Sequence, residues 1–174
     1  MQELINALEE CGALRFGDFT LASGAKSDYY IDIKMASTDP KVLGLISRLM
    51  AERMRQEGIK PQVIAGVVLG SIPLVTALSL ETGIPFVMIR KEKKDHGTSK
   101  LIEGVLPAGA RTLVVEDVIT SAGSALFAVD LLRQAGAEVD TVLSVIDRES
   151  GGPQALQAKD VRLVPLLRAS QIPR

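Results

Sequence analysis

At 174 residues, 47% of them hydrophobic, the chain is long enough for one domain with a real core and too apolar for a disordered tail. Its 20 basic and 21 acidic residues leave a net charge of −1, and it has no tryptophan, which excludes both a global basic field and an aromatic platform for nucleic acid. A single cysteine rules out an internal disulfide framework, no apolar run is long enough to span a membrane, and an acidic start without a signal-peptide pattern fits a reducing cytoplasm.

The first expected element is a short helix over residues 3–11, where Leu4, Ile5, Leu8 and Cys11 recur at helical spacing and Gly12 follows as a stop. Cys11 has no histidine or asparagine pattern nearby and reads as packing rather than as a nucleophile. Residues 14–33 alternate small apolar and polar side chains around a loop at 22–27, which predicts two strands forming a small hood over the site. Asp39 as N-cap and Pro40 at the first helical position open a helix to about Glu57, with Gly58 closing it. Strands are predicted over 63–67, 85–89, 111–115 and 139–146, with helices at about 72–82 and 123–134 between some of them. The apolar run 161–167 is an edge strand or part of the hood. This alternation predicts an α/β fold, a mainly parallel central sheet flanked by helices, in one domain over residues 1–174. The hood is expected mainly from about residues 1–36.

Two segments carry chemistry. In the first, an apolar strand ending in Val114 and Val115 is followed by Glu116 and Asp117 at its carboxyl end, where open α/β sheets bind ligands. Thr120, Ser121, Ala122, Gly123 and Ser124 then open the next helix, offering backbone N–H groups and hydroxyls as an anion cradle. A capped helix after an acidic turn is the plain reading of such residues. Two adjacent acids before the loop favour a ribose phosphate, with its phosphate in the loop. In the second segment, residues 90–100 hold five basic residues and the only histidine, without apolar periodicity. A solvated loop is the ordinary fate of a charge run. The alternative is a lid that closes over a polyanion and excludes water, strengthening the stabilisation of a departing charged group.

The strand, acidic pair and loop of residues 114–124 resemble the 5-phosphoribosyl 1-pyrophosphate (PRPP) signature of the type I phosphoribosyltransferases. Arg90, Lys91, Glu92, Lys94, Asp95, His96 and Gly97 resemble, in register, the catalytic loop of the orotate phosphoribosyltransferase branch. Three further segments agree with that branch. Residues 19–24 with Ser27 and Tyr30 resemble its base-binding segment, residues 66–74 its pyrophosphate loop, and Asp147, Arg148 and Glu149 its orotate-recognition segment.

The resemblance implies the type I phosphoribosyltransferase fold and a pentosyltransferase of pyrimidine biosynthesis. The enzyme would move the phosphoribosyl group of PRPP to orotate, giving orotidine 5′-monophosphate and pyrophosphate. By the same resemblance Lys94, His96 and Asp117 are catalytic. PRPP is bound by Arg90, Lys91, Lys94, His96, Glu116, Asp117, Val118, Ile119, Thr120, Ser121, Ala122, Gly123 and Ser124. Orotate meets Lys26, Tyr30, Thr120 and Arg148, and pyrophosphate meets Leu69, Gly70 and Ser71. Mg2+ is expected to be held mainly by PRPP and water near Glu116 and Asp117, with no direct protein ligand set. A homodimer is implied in which each lid serves the partner's site, with no role for nucleic acid or membrane. The guanidinium fork of Arg148 suits the orotate carboxylate, and an ion pair with Asp147 or Glu149 is its ordinary alternative.

Departures from the pattern are Ala22 and Leu69, where many members have lysine, and Ala122, where many have glycine, the residue at ease with positive φ. Lys26 is near enough in its loop to replace the first lysine. The pyrophosphate loop then relies on N–H groups around Gly70 and Ser71, with charge from Arg90 and the lid. Two rivals are a phosphoribosyltransferase for another base and a non-catalytic PRPP-sensing regulator. A purine has no carboxylate for Arg148 to read, and a regulator would be expected to lose Lys94 and His96 and to gain a nucleic-acid-binding element.

Overall fold

The computed structural model describes residues 1–20, 24, 26–92 and 100–173. Helix α1 (Gln2–Glu10) buries Leu4, Ile5 and Leu8, the apolar stripe expected from its spacing. Strands β1 (Leu14–Thr20) and β2 (Lys26–Ile31) pair antiparallel, from Leu14 opposite Ile31 to Thr20 opposite Lys26, as a two-stranded sheet of their own. A four-residue helix, α2 (Ile33–Ala36), follows at once. The Asp32 carboxylate accepts a hydrogen bond from Met35 N–H at 3.1 Å and so caps it. In α3 (Pro40–Gln56), Asp39 accepts from Lys41 and Val42 N–H at 2.9 and 3.1 Å, and proline stands where a helix can spare an N–H.

Six strands make the main sheet: β3 (Val63–Val67), β4 (Phe86–Ile89), β5 (Ile102–Glu103), β6 (Thr112–Ile119), β7 (Thr141–Asp147) and β8 (Arg162–Arg168). Their spatial order is β5-β4-β3-β6-β7-β8, and only β5 runs antiparallel to its neighbour. Every residue of β3 and β7 is buried, as strands covered on both faces must be. Helices α4 (Ile72–Thr82), α5 (Gly123–Gln134) and α6 (Gly152–Gln157) complete the layers. One apolar cluster joins α1, α3 and α4 to the sheet, and a second joins α5 to it. The chain thus forms the expected mainly parallel sheet flanked by helices.

The sequence misplaces some boundaries and misses some elements. Strand β6 continues four residues beyond Val115, because β7 keeps pairing with it as far as Ile119 and Asp147. The acidic pair therefore lies inside the ladder rather than just after it. Residues 161–167, left open as edge strand or hood, form the edge strand β8 beside β7. Short α2, β5 and α6 went unpredicted because two to six residues are too few to show a period.

Candidate active site

Sheet order reverses between β3 and β6: the chain passes from β3 outward to β4, then returns to β6 and proceeds the other way. The loops leaving these two strands face each other across the crevice this creates, the place where open α/β sheets bind ligands.

Glu116 lies on this crevice yet is buried, only 5% exposed. One carboxylate oxygen, Oε2, accepts a hydrogen bond from the buried Ser71 hydroxyl at 2.8 Å, while Oε1 is enclosed without a partner among the described residues. Burial pushes its carboxyl up from 4.5 to about 7; the Ser71 hydrogen bond opposes this, the Asp117 charge adds to it and Lys91 opposes it. Asp117 is more open. Its Oδ1 accepts from Val118 N–H at 2.8 Å, and its Oδ2 lies 3.7 Å from Lys34 Nζ. Gly70 makes that position possible, since a side chain on Gly70 would collide with the Asp117 carboxylate.

Beyond β6 the chain turns through Thr120, Ser121 and Ala122 into α5. Ala122 takes φ 66° and ψ 16°, the left-handed region, so the conformation that glycine would occupy at ease is imposed here on an alanine. The first bond closing α5 runs from Leu126 N–H to the Ala122 carbonyl at 2.8 Å. The five N–H groups of residues 121–125 therefore have no acceptor among the described residues. With Glu116 and residues 118–125 they line a cavity of about 260 Å3 at the positive end of a three-turn helix. Gly152, which sequence reasoning overlooked, supports this loop from behind. A Cβ there would meet Ile119 and stand 2.7 Å from the Thr120 carbonyl oxygen. Its signal was the Gly151-Gly152-Pro153 run, readable as a helix start but not as a contact.

The other expected residues are distributed as follows. Arg90 donates its N–H to the Leu101 carbonyl at 2.8 Å, and its guanidinium stands 3.7 Å from Glu103. Lys91 is exposed, and its charge acts on Glu116. Leu69 follows Val68 through a cis peptide bond and is 73% exposed. Lys26 donates to the Thr20 hydroxyl at 2.9 Å across the hairpin. Lys94, His96 and Ala22 lie outside the described residues.

Arg148 packs on a tyrosine of the hairpin. Its guanidinium carbon stands 5.0 Å from the ring centre of Tyr29, whereas Tyr30 faces Arg15 at 5.3 Å and Phe19 at 5.7 Å. Strand alternation explains this, because successive residues of β2 point to opposite faces. Tyr29, not Tyr30, is the tyrosine against Arg148. The ordinary ion pair is also not formed: Asp147 accepts from Glu149 N–H at 2.8 Å, and Glu149 accepts from Ser170 N–H at 2.7 Å. Among the described residues Arg148 has no acidic partner. A second cavity, about 240 Å3, sits at the opposite, amino ends of the strands between Lys60, Arg111, Glu138 and Arg162, away from the acidic pair and the loop.

Residues 32–165 match the family described as the phosphoribosyl transferase domain. The chain is also 51% identical, over 98% of its length, to the orotate phosphoribosyltransferase of Methanosarcina mazei, covering 90% of that protein. The chain belongs to the orotate phosphoribosyltransferase family. The structure of an orotate phosphoribosyltransferase from Aeropyrum pernix superposes with a TM-score of 0.86 at 34% identity, over 97% of this chain and 95% of that one. A Mycobacterium tuberculosis orotate phosphoribosyltransferase in complex with PRPP gives a TM-score of 0.80 at 33% identity, over 98% and 96% of the two chains.

Proposed function

We propose that the chain transfers the phosphoribosyl group of PRPP to the ring nitrogen of orotate, giving orotidine 5′-monophosphate and pyrophosphate in pyrimidine biosynthesis. The observation that carries this reading is one geometry: two carboxylates and five N–H groups without acceptors share the crevice between β3 and β6. Family membership supplies the base. In the reaction the bond from the anomeric carbon to pyrophosphate oxygen breaks and a bond to the orotate nitrogen forms. The ribosyl carbon is cation-like between the two, so positioning and leaving-group stabilisation suffice without a protein nucleophile.

Residues 120–124 take the 5′-phosphate with their hydroxyls and the N–H groups that open α5, where the helix dipole favours its charge. Glu116 and Asp117 take the ribose hydroxyls, and Asp117, the more exposed, is available to accept a proton. Orotate is already anionic, so its demand for a base is small. Arg148 receives the orotate carboxylate; lacking an acidic partner and stacked on Tyr29, its guanidinium is held in one plane for two parallel hydrogen bonds. From the hairpin, Tyr29 borders the base site through Arg148, whereas Lys26 and Tyr30 stand on the opposite face of β2. Arg90 and Lys91, with Lys94 and His96 of the lid, complete the charge around pyrophosphate, and the lid serves the partner subunit of a homodimer.

Mg2+ fits the donors present. Glu116 and Asp117 are adjacent oxygen donors, one of their oxygens is unpartnered among the described residues, and Mg2+ takes one or two carboxylates beside phosphate and water oxygens. When bound it would neutralise charge on the pyrophosphate.

Orotate absorbance, followed with PRPP and Mg2+ beside adenine, guanine, hypoxanthine and uracil, tests the reading. Orotate alone should be consumed. Arg148→Ala should raise the orotate KM at least about tenfold, the scale of a lost charge-assisted pair, while the PRPP KM barely moves. Turnover of a different base would discard the orotate assignment.

A further inference from the structure

We infer that Lys34 is a pyrophosphate-binding residue, whose ammonium group pairs with Asp117 and passes to the pyrophosphate group when PRPP enters. This rests on the reading of the site as a PRPP site. Lys34 belongs to α2, an element the sequence did not predict, and no resemblance pointed to it.

Three observations converge on this side chain. First, it lies between the loop after β3 and the carboxyl end of β6: its Cγ is 3.4 Å from where a Cβ on Gly70 would stand, and its Nζ is 3.7 Å from Asp117 Oδ2. A cation there faces the β3 loop and Asp117 together. Second, the β3 loop has none of its own, since residues 68–71 are Val68, Leu69, Gly70 and Ser71, and the Ser71 hydroxyl is committed to Glu116. Arg90, the next basic side chain, stands beside Glu103. A group that leaves as a polyanion needs charge close by, and Lys34 is placed to supply it.

Third, the residue combines a fixed base with a mobile tip. Its flanking Ile33 is 1% exposed and Ala36 fully buried, and Asp32 caps the helix, so the backbone of α2 is held against the core. The Lys34 side chain is 62% exposed. Its ammonium is too far from Asp117 for a hydrogen bond, leaving a weak and exchangeable pair. A lysine on a flexible stem suits a partner exchange of this kind. The transfer also releases Asp117 to accept a ribose hydroxyl, coupling the seating of pyrophosphate to that of ribose.

Calorimetric titration with pyrophosphate, and separately with ribose 5-phosphate, distinguishes direct binding from support of Asp117. With Lys34→Ala, and Lys34→Gln as a second neutral variant, pyrophosphate affinity and PRPP kcat/KM should fall at least about tenfold, as for loss of one charged contact. Ribose 5-phosphate affinity and the orotate KM should hold within about twofold. Lys34→Arg, or Leu69→Lys added to Lys34→Ala, should restore pyrophosphate affinity. Unchanged pyrophosphate affinity, an equal loss for ribose 5-phosphate, or no recovery in either restoring variant would overturn the assignment. Failure of the orotate reading would appear separately, as wild-type protein that binds pyrophosphate but does not consume orotate.

Discussion

Glu116 shows how a carboxylate proposed to bind substrate is kept at a cost to the fold. Buried against Ser71, with one oxygen unpartnered among the described residues, its carboxyl is pushed up to about 7 from an ordinary 4.5. The folded chain therefore holds this proton more tightly than the unfolded chain between those two values. The resulting stability is fully present below pH 4.5 and is lost as pH rises through 7, by up to about 3 kcal/mol. Urea unfolding at pH 5 and pH 8 should show this decline in wild type and a flatter profile in Glu116→Gln. Parallel profiles for the two proteins would contradict the assignment. Magnesium-bound PRPP, by bringing positive charge and hydroxyl donors to the carboxylate, should move the titration down.

At the scale of elements, the turn into α5 is decided by Ala122. An alanine in the left-handed region costs roughly 1–2 kcal/mol relative to glycine. Its methyl is buried against the α5 cluster and returns about 0.8 kcal/mol. Ala122→Gly should therefore change stability little, raising it by up to about 1 kcal/mol on the same terms, whereas β-branched Ala122→Val should be clearly destabilising. Chemical denaturation of both variants checks this; a glycine variant less stable than wild type would mean that the methyl contact outweighs the backbone strain. Helices α4 and α5 and strand β3 begin and end where the sequence predicts, because long apolar runs and Gly/Pro punctuation locate them. The end of β6 is not locatable this way, since Glu116 and Asp117 look like the end of a strand until β7 is placed beside them.

For the whole molecule, the proposed sharing of the lid between two subunits makes a prediction that no single chain can satisfy. Lys94→Ala and Asp117→Ala should each be inactive alone. Their mixture, after subunit exchange, should regain roughly a quarter of wild-type activity, because half of randomly reassorted two-fold dimers are mixed and each mixed dimer holds one intact site. Activity measured on exchanged and unexchanged mixtures decides it, and no recovery would sink the shared lid. No helix of the described residues is long and apolar enough to cross a membrane.

The amino-acid sequence alone determined the fold class and the principal chemistry, because both are written in local order. Strand and helix alternate at recognisable periods, the acidic pair adjoins the loop that opens α5, and Arg148 stands two residues beyond the Ile146 that ends the apolar run of β7. Tertiary structure decided what depends on approach between distant segments. Ser71 and Glu116 are 45 positions apart, yet share a hydrogen bond across the crevice. Lys34, Gly70 and Asp117 come from a short helix, a loop and a strand with no sequence relation to one another, and Tyr29 rather than Tyr30 meets Arg148 because of the face on which β2 is laid. Periodicity reports which residues share an element's face; only packing brings one element's face to another's charge.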